Sequence, residues 1–197
     1  MTFTTEAEAV WTSLLKKGKI LLTEYNEQIM PMIKRVIKVQ IDDSMKSESS
    51  DGLIDELVIK TDFICEWHDG RIILFDNKTS SVKYDKESVQ TSEQLSVYYE
   101  ALRDQYKIDA CGYIVIPKKT NKIKKPVVKI DYIIDNIDEG TIVATFEKFE
   151  MALEGIKKGE FPKNESSCYG KFGKCPYYDY CHSGSAKGLK EKEEKNG

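Results

Sequence analysis

Residues 57–75 constrain the fold more tightly than any other stretch of this 197-residue chain. Leu57–Trp67 and Arg71–Phe75 are runs rich in β-branched and aromatic residues, separated by His68-Asp69-Gly70. That triplet fits a three-residue hairpin loop with glycine in the left-handed third position. Trp67 then faces Arg71, and Asp62 falls opposite Asp76. Lys78 shares the face of Asp76, because side chains alternate along a strand. A two-residue loop would instead set Asp62 against Asn77 and split the acids. Phe63, Cys65, Ile73 and Phe75 make the other face apolar, and Ile64, Ile72 and Leu74 flank the acids on their own face. Strands apolar on both faces belong in the middle of a sheet.

Charged groups in such a setting are costly unless they are paired or hold a cation. Two facing carboxylates repel, and one is driven towards protonation unless a metal ion separates them. A hard dication such as Mg²⁺ or Mn²⁺ takes oxygen ligands and bridges readily to a phosphate. An adjacent ammonium can orient the attacking water or offset charge on a phosphoryl transition state. The pattern points to metal-assisted phosphodiester hydrolysis. A bare D-x-K is common, and read alone Asp76–Lys78 is a solvated ion pair.

The remaining elements surround this hairpin. Phe3, Ala7, Val10, Trp11, Leu14 and Leu15, then Leu21, Leu22, Tyr25 and Ile29, fall at helical spacing after a Thr4 or Thr5 cap. Gly18 is a place to end or bend that helix, and Pro31 closes it. Ile33–Ile41 is a strand. Residues 42–56, with six acids, one lysine, four serines and a glycine, read as a solvated loop. Leu95, Tyr98, Tyr99 and Leu102 mark a helix over 91–106, capped by Thr91 or Ser92. Ala110–Ile116 and Val127–Ile134 are a further strand pair joined by a basic loop. Ile142, Phe146, Phe149, Leu153 and Ile156 mark an amphipathic helix stopped by Gly159 and Pro162. The order predicts an α/β fold, a central mixed sheet flanked by helices with a Cys-bearing C-terminal segment. One domain is expected over 1–183, with 168–181 as a Cys-rich clip and 184–197 as a flexible charged tail.

Apolar types make up 40% of the chain, enough for a core, and the net charge of −3 excludes an all-over basic nucleic-acid binder. No membrane-spanning run and no signal peptide is visible, so the expected location is cytoplasmic, in a bacterial, archaeal or phage-infected cell. An odd count of five cysteines makes a disulfide framework a poor reading. Cys65 and Cys111 read as small buried apolar residues.

Lys60-Thr61-Asp62, then Arg71-Ile72-Ile73-Leu74-Phe75-Asp76-Asn77-Lys78-Thr79, followed by Gln94-Leu95-Ser96-Val97-Tyr98, resembles the core of the PD-(D/E)XK nucleases. The joint pattern D(13)D-x-K-T(14)Q-x-x-x-Y is similar to their RecB-like branch, including phage and CRISPR-adaptation nucleases, over about residues 18–181. The resemblance implies a restriction-endonuclease-like core. It implies Asp62, Asp76 and the main-chain carbonyl of Asn77 as metal ligands and Lys78 as catalytic lysine. Gln94 and Tyr98, four apart on one helix face, would meet the active site or the DNA. Many RecB-like enzymes carry a further histidine ligand on the first helix. Leu22 lies near that place here, and Glu24 or Glu27 is a candidate substitute.

Cys168, Cys175 and Cys181 are similar to the C-terminal cysteines of iron–sulfur-bearing RecB-like nucleases, whose fourth cysteine precedes the nuclease core; no cysteine precedes Cys65 here. Zinc with His182 as fourth ligand is a second reading, although adjacent Cys181 and His182 would strain a tetrahedron. Unmetallated cysteines packed by Tyr177, Tyr178 and Tyr180 are a third. Lys118, Lys119, Lys122, Lys124 and Lys125 crowd one inter-strand loop and could follow a phosphate backbone without reading bases, or simply keep a hairpin end soluble. No sequence-reading module is visible, so the expected substrate is DNA recognised by structure, at ends or as single strands. The reading is a Mg²⁺- or Mn²⁺-dependent DNase. By resemblance it is an exonuclease of recombination, repair or phage replication; the alternative is a non-catalytic DNA-binding or assembly subunit on the same fold.

Overall fold

The hairpin forms as its loop residues dictate. Trp67 N–H donates to the Arg71 carbonyl at 2.8 Å, Gly70 N–H donates to the Trp67 carbonyl at 2.9 Å, and Gly70 sits at φ +90°. Only glycine adopts that conformation without a Cβ penalty. The computed structural model describes residues 5–46, 56–118, 128–160, 165–170 and 173–189. The chain divides into two compact units, Met1–Met151 and Ala152–Gly197.

The first unit is built on five strands in the order β1-β2-β3-β4-β5: β1 (Ile33–Lys46), β2 (Glu56–Trp67), β3 (Ile72–Ser80), β4 (Ala110–Pro117) and β5 (Asp131–Asp135). β3 and β4 run parallel and the other neighbours antiparallel, which makes the sheet mixed. Helices α2 (Lys86–Gln90) and α3 (Glu93–Tyr106) form the crossover between the parallel pair, as parallel strands require. One face of the sheet packs Phe63, Cys65, Trp67, Ile73 and Phe75 against Ile20, Leu21 and Tyr25 of α1 (Thr5–Gln28) and against Ile29 just after it. The other packs Ile64, Leu74, Cys111 and Tyr113 against Leu95 and Leu102 of α3 and Ile142 of α4 (Glu139–Lys158). A sheet buried on both faces explains the two-sided apolar pattern of β2 and β3. The fold is the restriction-endonuclease-like α/β arrangement that the resemblance implied.

Several boundaries differ from expectation, each for a local reason. Gly18 neither ends nor breaks α1. Residues 42–46 are not loop but continue β1, pairing Asp42 with Lys60 and Lys46 with Glu56. Composition hid them because the pairing is made by main-chain hydrogen bonds, which polar residues supply as well as apolar ones, and Asp42 gains an ion pair with Lys60 at 3.4 Å. β3 runs on to Ser80 because β4 offers it a parallel partner along its whole length. The short helix α2 was invisible to periodicity. A capping box starts it, with Ser88 N–H donating to the Asp85 carboxylate at 2.9 Å and Ser88 Oγ accepting from Asp85 N–H. β5 starts at Asp131 and not at Val127. Ahead of it, the Gln28 side chain donates to the Val128 carbonyl at 2.7 Å and accepts from Ile130 N–H at 3.0 Å, taking the place of a strand partner.

The second unit is described by itself. The C-terminal end of α4 is followed by a two-stranded turn, β6 (Tyr169–Gly170) with β7 (Gly173–Lys174), and a short helix α5 (Tyr178–Ser183) that ends on Gly184 at φ +71°.

Candidate active site

The ladder between β2 and β3 ends at Phe63–Phe75. Beyond it β2 stays paired with β1 towards Glu56, while β3 stays paired with β4 towards Ser80. The sheet therefore forks, and Asp62 is the first β2 residue inside the fork. A carboxylate replaces the main-chain acceptor there: Asn77 N–H donates to Asp62 Oδ2 at 2.7 Å. An extended residue presents its N–H and C=O to the same strand edge. The carbonyl of Asn77 therefore faces the fork as its N–H does.

Asp76 stands beside Tyr113 of β4 and is 6% exposed. Lys78 Nζ lies 2.7 Å from its Oδ2 and forms an ion pair with it. Burial pushes the Asp76 carboxyl up; Lys78 acts against this, Asp62 adds to it, and the net direction is up. For Lys78, burial works against the charge, but the Asp76 carboxylate outweighs it, and the ammonium is held above the ordinary lysine range. The same Nζ donates to Gln94 Oε1 at 2.7 Å, and Gln94 Nε2 donates to the Tyr98 hydroxyl at 2.8 Å. α3 is aimed at this point by its cap: Leu95 N–H donates to Ser92 Oγ at 3.1 Å, and Ser92 Oγ lies 2.6 Å from the Tyr113 hydroxyl. The helix start is thus tied to the strand that pairs with Asp76.

The structure brings Asp76, Lys78, Gln94 and Tyr98 into one chain of contacts and sets Asp62 and Asn77 together beside it. It also adds three tyrosines. Lys78 Nζ lies 5.7 Å from the centre of the Tyr113 ring, within cation–π range, and Tyr84 meets that ring edge-on at 5.0 Å. Tyr25 of α1 donates its hydroxyl to Asn77 Oδ1 at 3.1 Å. In the sequence Tyr25 was one more apolar-face position of α1, and only the packing of that helix shows where its hydroxyl goes. Glu24 is engaged by Gln28, whose Nε2 donates to it at 2.6 Å, while Glu27 and Leu22 are exposed. An open cleft of about 380 Å³ leads to Asp62, Asn77 and Tyr25 from the outer side of β1. Gln40, which lines it, is a non-glycine residue at φ +48°, one of two such among the described residues.

The profile of the PD-(D/E)XK nuclease superfamily matches residues 3–182. The chain belongs to this superfamily. No curated protein matches the chain. A solved structure, the crystal structure of SSO0001, is similar at 16% identity with a TM-score of 0.39, over 74% of this chain. The chain spans 61% of that structure's length. The superfamily is one of nucleases, and its members typically use Mg²⁺ or Mn²⁺.

The donors in the fork suit such an ion. Asp62, Asp76 and the Asn77 carbonyl carry hard oxygen atoms, the kind that could hold such a dication. Among the described residues, no three His, Cys, Asp or Glu side chains gather as a metal site. In the second unit Cys168 Sγ lies 3.8 Å from His182 Nε2, and Cys175 N–H donates to the Cys168 carbonyl at 2.8 Å. The His182 ring stacks on Tyr178 at 4.1 Å. Cys181 is exposed. Lys118 is exposed and its main-chain carbonyl accepts from Lys17 Nζ; Lys119, Lys122, Lys124 and Lys125 lie outside the described residues. No helix among the described residues is long and apolar enough to cross a membrane.

Proposed function

We propose that this protein is a Mg²⁺- or Mn²⁺-dependent DNase of the RecB-like branch, an exonuclease acting at DNA ends in recombination, repair or phage replication. The observation that carries the reading is the contact chain Asp76–Lys78–Gln94–Tyr98 beside an Asp62 carboxylate held at a fork in the sheet. Asp62, Asp76 and the Asn77 carbonyl would hold the ion, which when bound supplies charge neutralisation and an acidified water. Lys78 acts as a fixed positive charge: its ammonium is held above the ordinary lysine range, so near neutral pH it donates and does not abstract a proton. Gln94 spends its carbonyl oxygen on Lys78 and its amide on Tyr98, and so orients the ammonium without competing for the metal. The Tyr98 hydroxyl, at the far end of the contact chain, would meet a strand of DNA. Lys118 and the basic residues that follow it in sequence supply positive charge for the phosphate backbone.

The test is cleavage of end-labelled single- and double-stranded DNA, with free and blocked ends, with and without Mn²⁺. Metal-dependent loss of label from free ends is expected. Lys78→Ala is expected to lower the rate by at least about a hundredfold while the protein stays folded. Wild-type cleavage by Lys78→Ala would remove the catalytic assignment. DNA binding with no cleavage under any metal would instead favour a non-catalytic binding subunit.

A further inference from the structure

Asn77 is the point where three elements meet. Its N–H is taken by Asp62 of β2 at 2.7 Å, its side-chain oxygen by the Tyr25 hydroxyl of α1 at 3.1 Å, and its main chain belongs to β3 between Asp76 and Lys78. Its carbonyl faces the fork with its N–H. A small rotation of this residue would move the carbonyl and the Asp62 carboxylate together, because one hydrogen bond couples them. The strand itself cannot hold Asn77 on this edge, since the β2–β3 ladder stops two residues earlier, at Phe75. What remains to fix it on this side is the pair of contacts from Asp62 and Tyr25.

We propose that Tyr25 is a positioning residue for divalent-metal binding: from the first helix it locks Asn77 so that the Asn77 carbonyl and the Asp62 carboxylate converge on one ion. The inference rests on the metal-dependent reading above. Tyr25 suits the task because its hydroxyl donates to the Asn77 side chain at 3.1 Å. Its hydroxyl is spent on Asn77 and its ring packs in the core against the sheet. Tyr25 thus links α1 to the site without being a ligand. Groups that orient a ligand without touching the metal commonly change affinity by ten- to a hundredfold when removed.

The experiment is direct titration of Mn²⁺ into the full chain, with free Mn²⁺ read by electron paramagnetic resonance, on wild type, Tyr25→Phe, Asn77→Ala and the double variant. Melting temperatures without metal accompany each titration. Tyr25→Phe is expected to weaken Mn²⁺ binding by about tenfold, and saturating Mn²⁺ to restore cleavage. The double variant is expected to bind no worse than Asn77→Ala alone, because both substitutions break one link. Wild-type Mn²⁺ affinity in a folded Tyr25→Phe protein, or additive losses in the double variant, would overturn the inference while leaving the nuclease reading intact. Failure of the wild type to bind Mn²⁺, or binding unaffected by Asp76→Asn, would overturn both.

Discussion

Replacing Asp76 by Asn should make the metal-free protein more stable and the enzyme inactive. Asp76 is 6% exposed, with the Lys78 ammonium 2.7 Å away as its charged partner. Burial drives its carboxyl upward more strongly than Lys78 drives it down, and Asp62 adds to the rise. An acid that gives up its proton at higher pH in the folded state than in the unfolded one stabilises the fold while protonated. That contribution is whole below the unfolded carboxyl range and is lost as pH climbs through the folded one. At neutral pH the ionised group therefore costs the fold free energy, and asparagine, a neutral copy, removes the cost. Relief of the burial cost of such a polar group is worth about 1 kcal/mol at the low end. In a chain of this size that corresponds to a rise in Tm of roughly 2–4 °C. Scanning calorimetry in chelator at pH 7 and pH 4 measures it. The gain should be present at pH 7 and shrink at pH 4, where the wild-type acid takes up its proton. With Mn²⁺ added the order should reverse, because only the wild type gains an ion. An Asp76→Asn protein that melts below wild type at pH 7 in chelator would refute the claim that burial dominates at this carboxylate.

Gln94→Ala should leave Lys78 bound only to Asp76 and slow cleavage by about tenfold with Mn²⁺ affinity unchanged, whereas Gln94→Glu keeps an acceptor for Nζ and should lose less; single-turnover cleavage at saturating metal separates the two. Gly112→Ala should destabilise by about 2–3 kcal/mol, because a Cβ there would lie 2.6 Å from the Ile133 carbonyl and 2.7 Å from the Phe75 ring, and neither main chain nor packed ring can yield cheaply. Urea unfolding would detect it, and an unchanged midpoint would show that β4 and β5 can separate locally.

The hairpin register and the shared face of Asp76 and Lys78 were legible in the residues because alternation and loop length are local rules, whereas the ladder ends before Asp62 would face Asp76 and its carboxylate takes the Asn77 N–H. A three-residue loop ending in glycine leaves one register, and that register decides which side chains meet. Gln94 and Tyr98 were legible as one helix face, four residues apart. The tertiary structure decided where that face points: Ser92 caps the helix and reaches Tyr113 across the sheet, and this aims Gln94 at Lys78. It also decided that the sheet forks after Phe63, because whether β2 prefers β1 or β3 depends on pairing partners far away in the chain. Tyr25 shows the same division. Periodicity places it on the apolar stripe of a helix, but the sequence contains no signal for the Asn77 oxygen that its hydroxyl meets, because that contact exists only once α1 lies across the sheet.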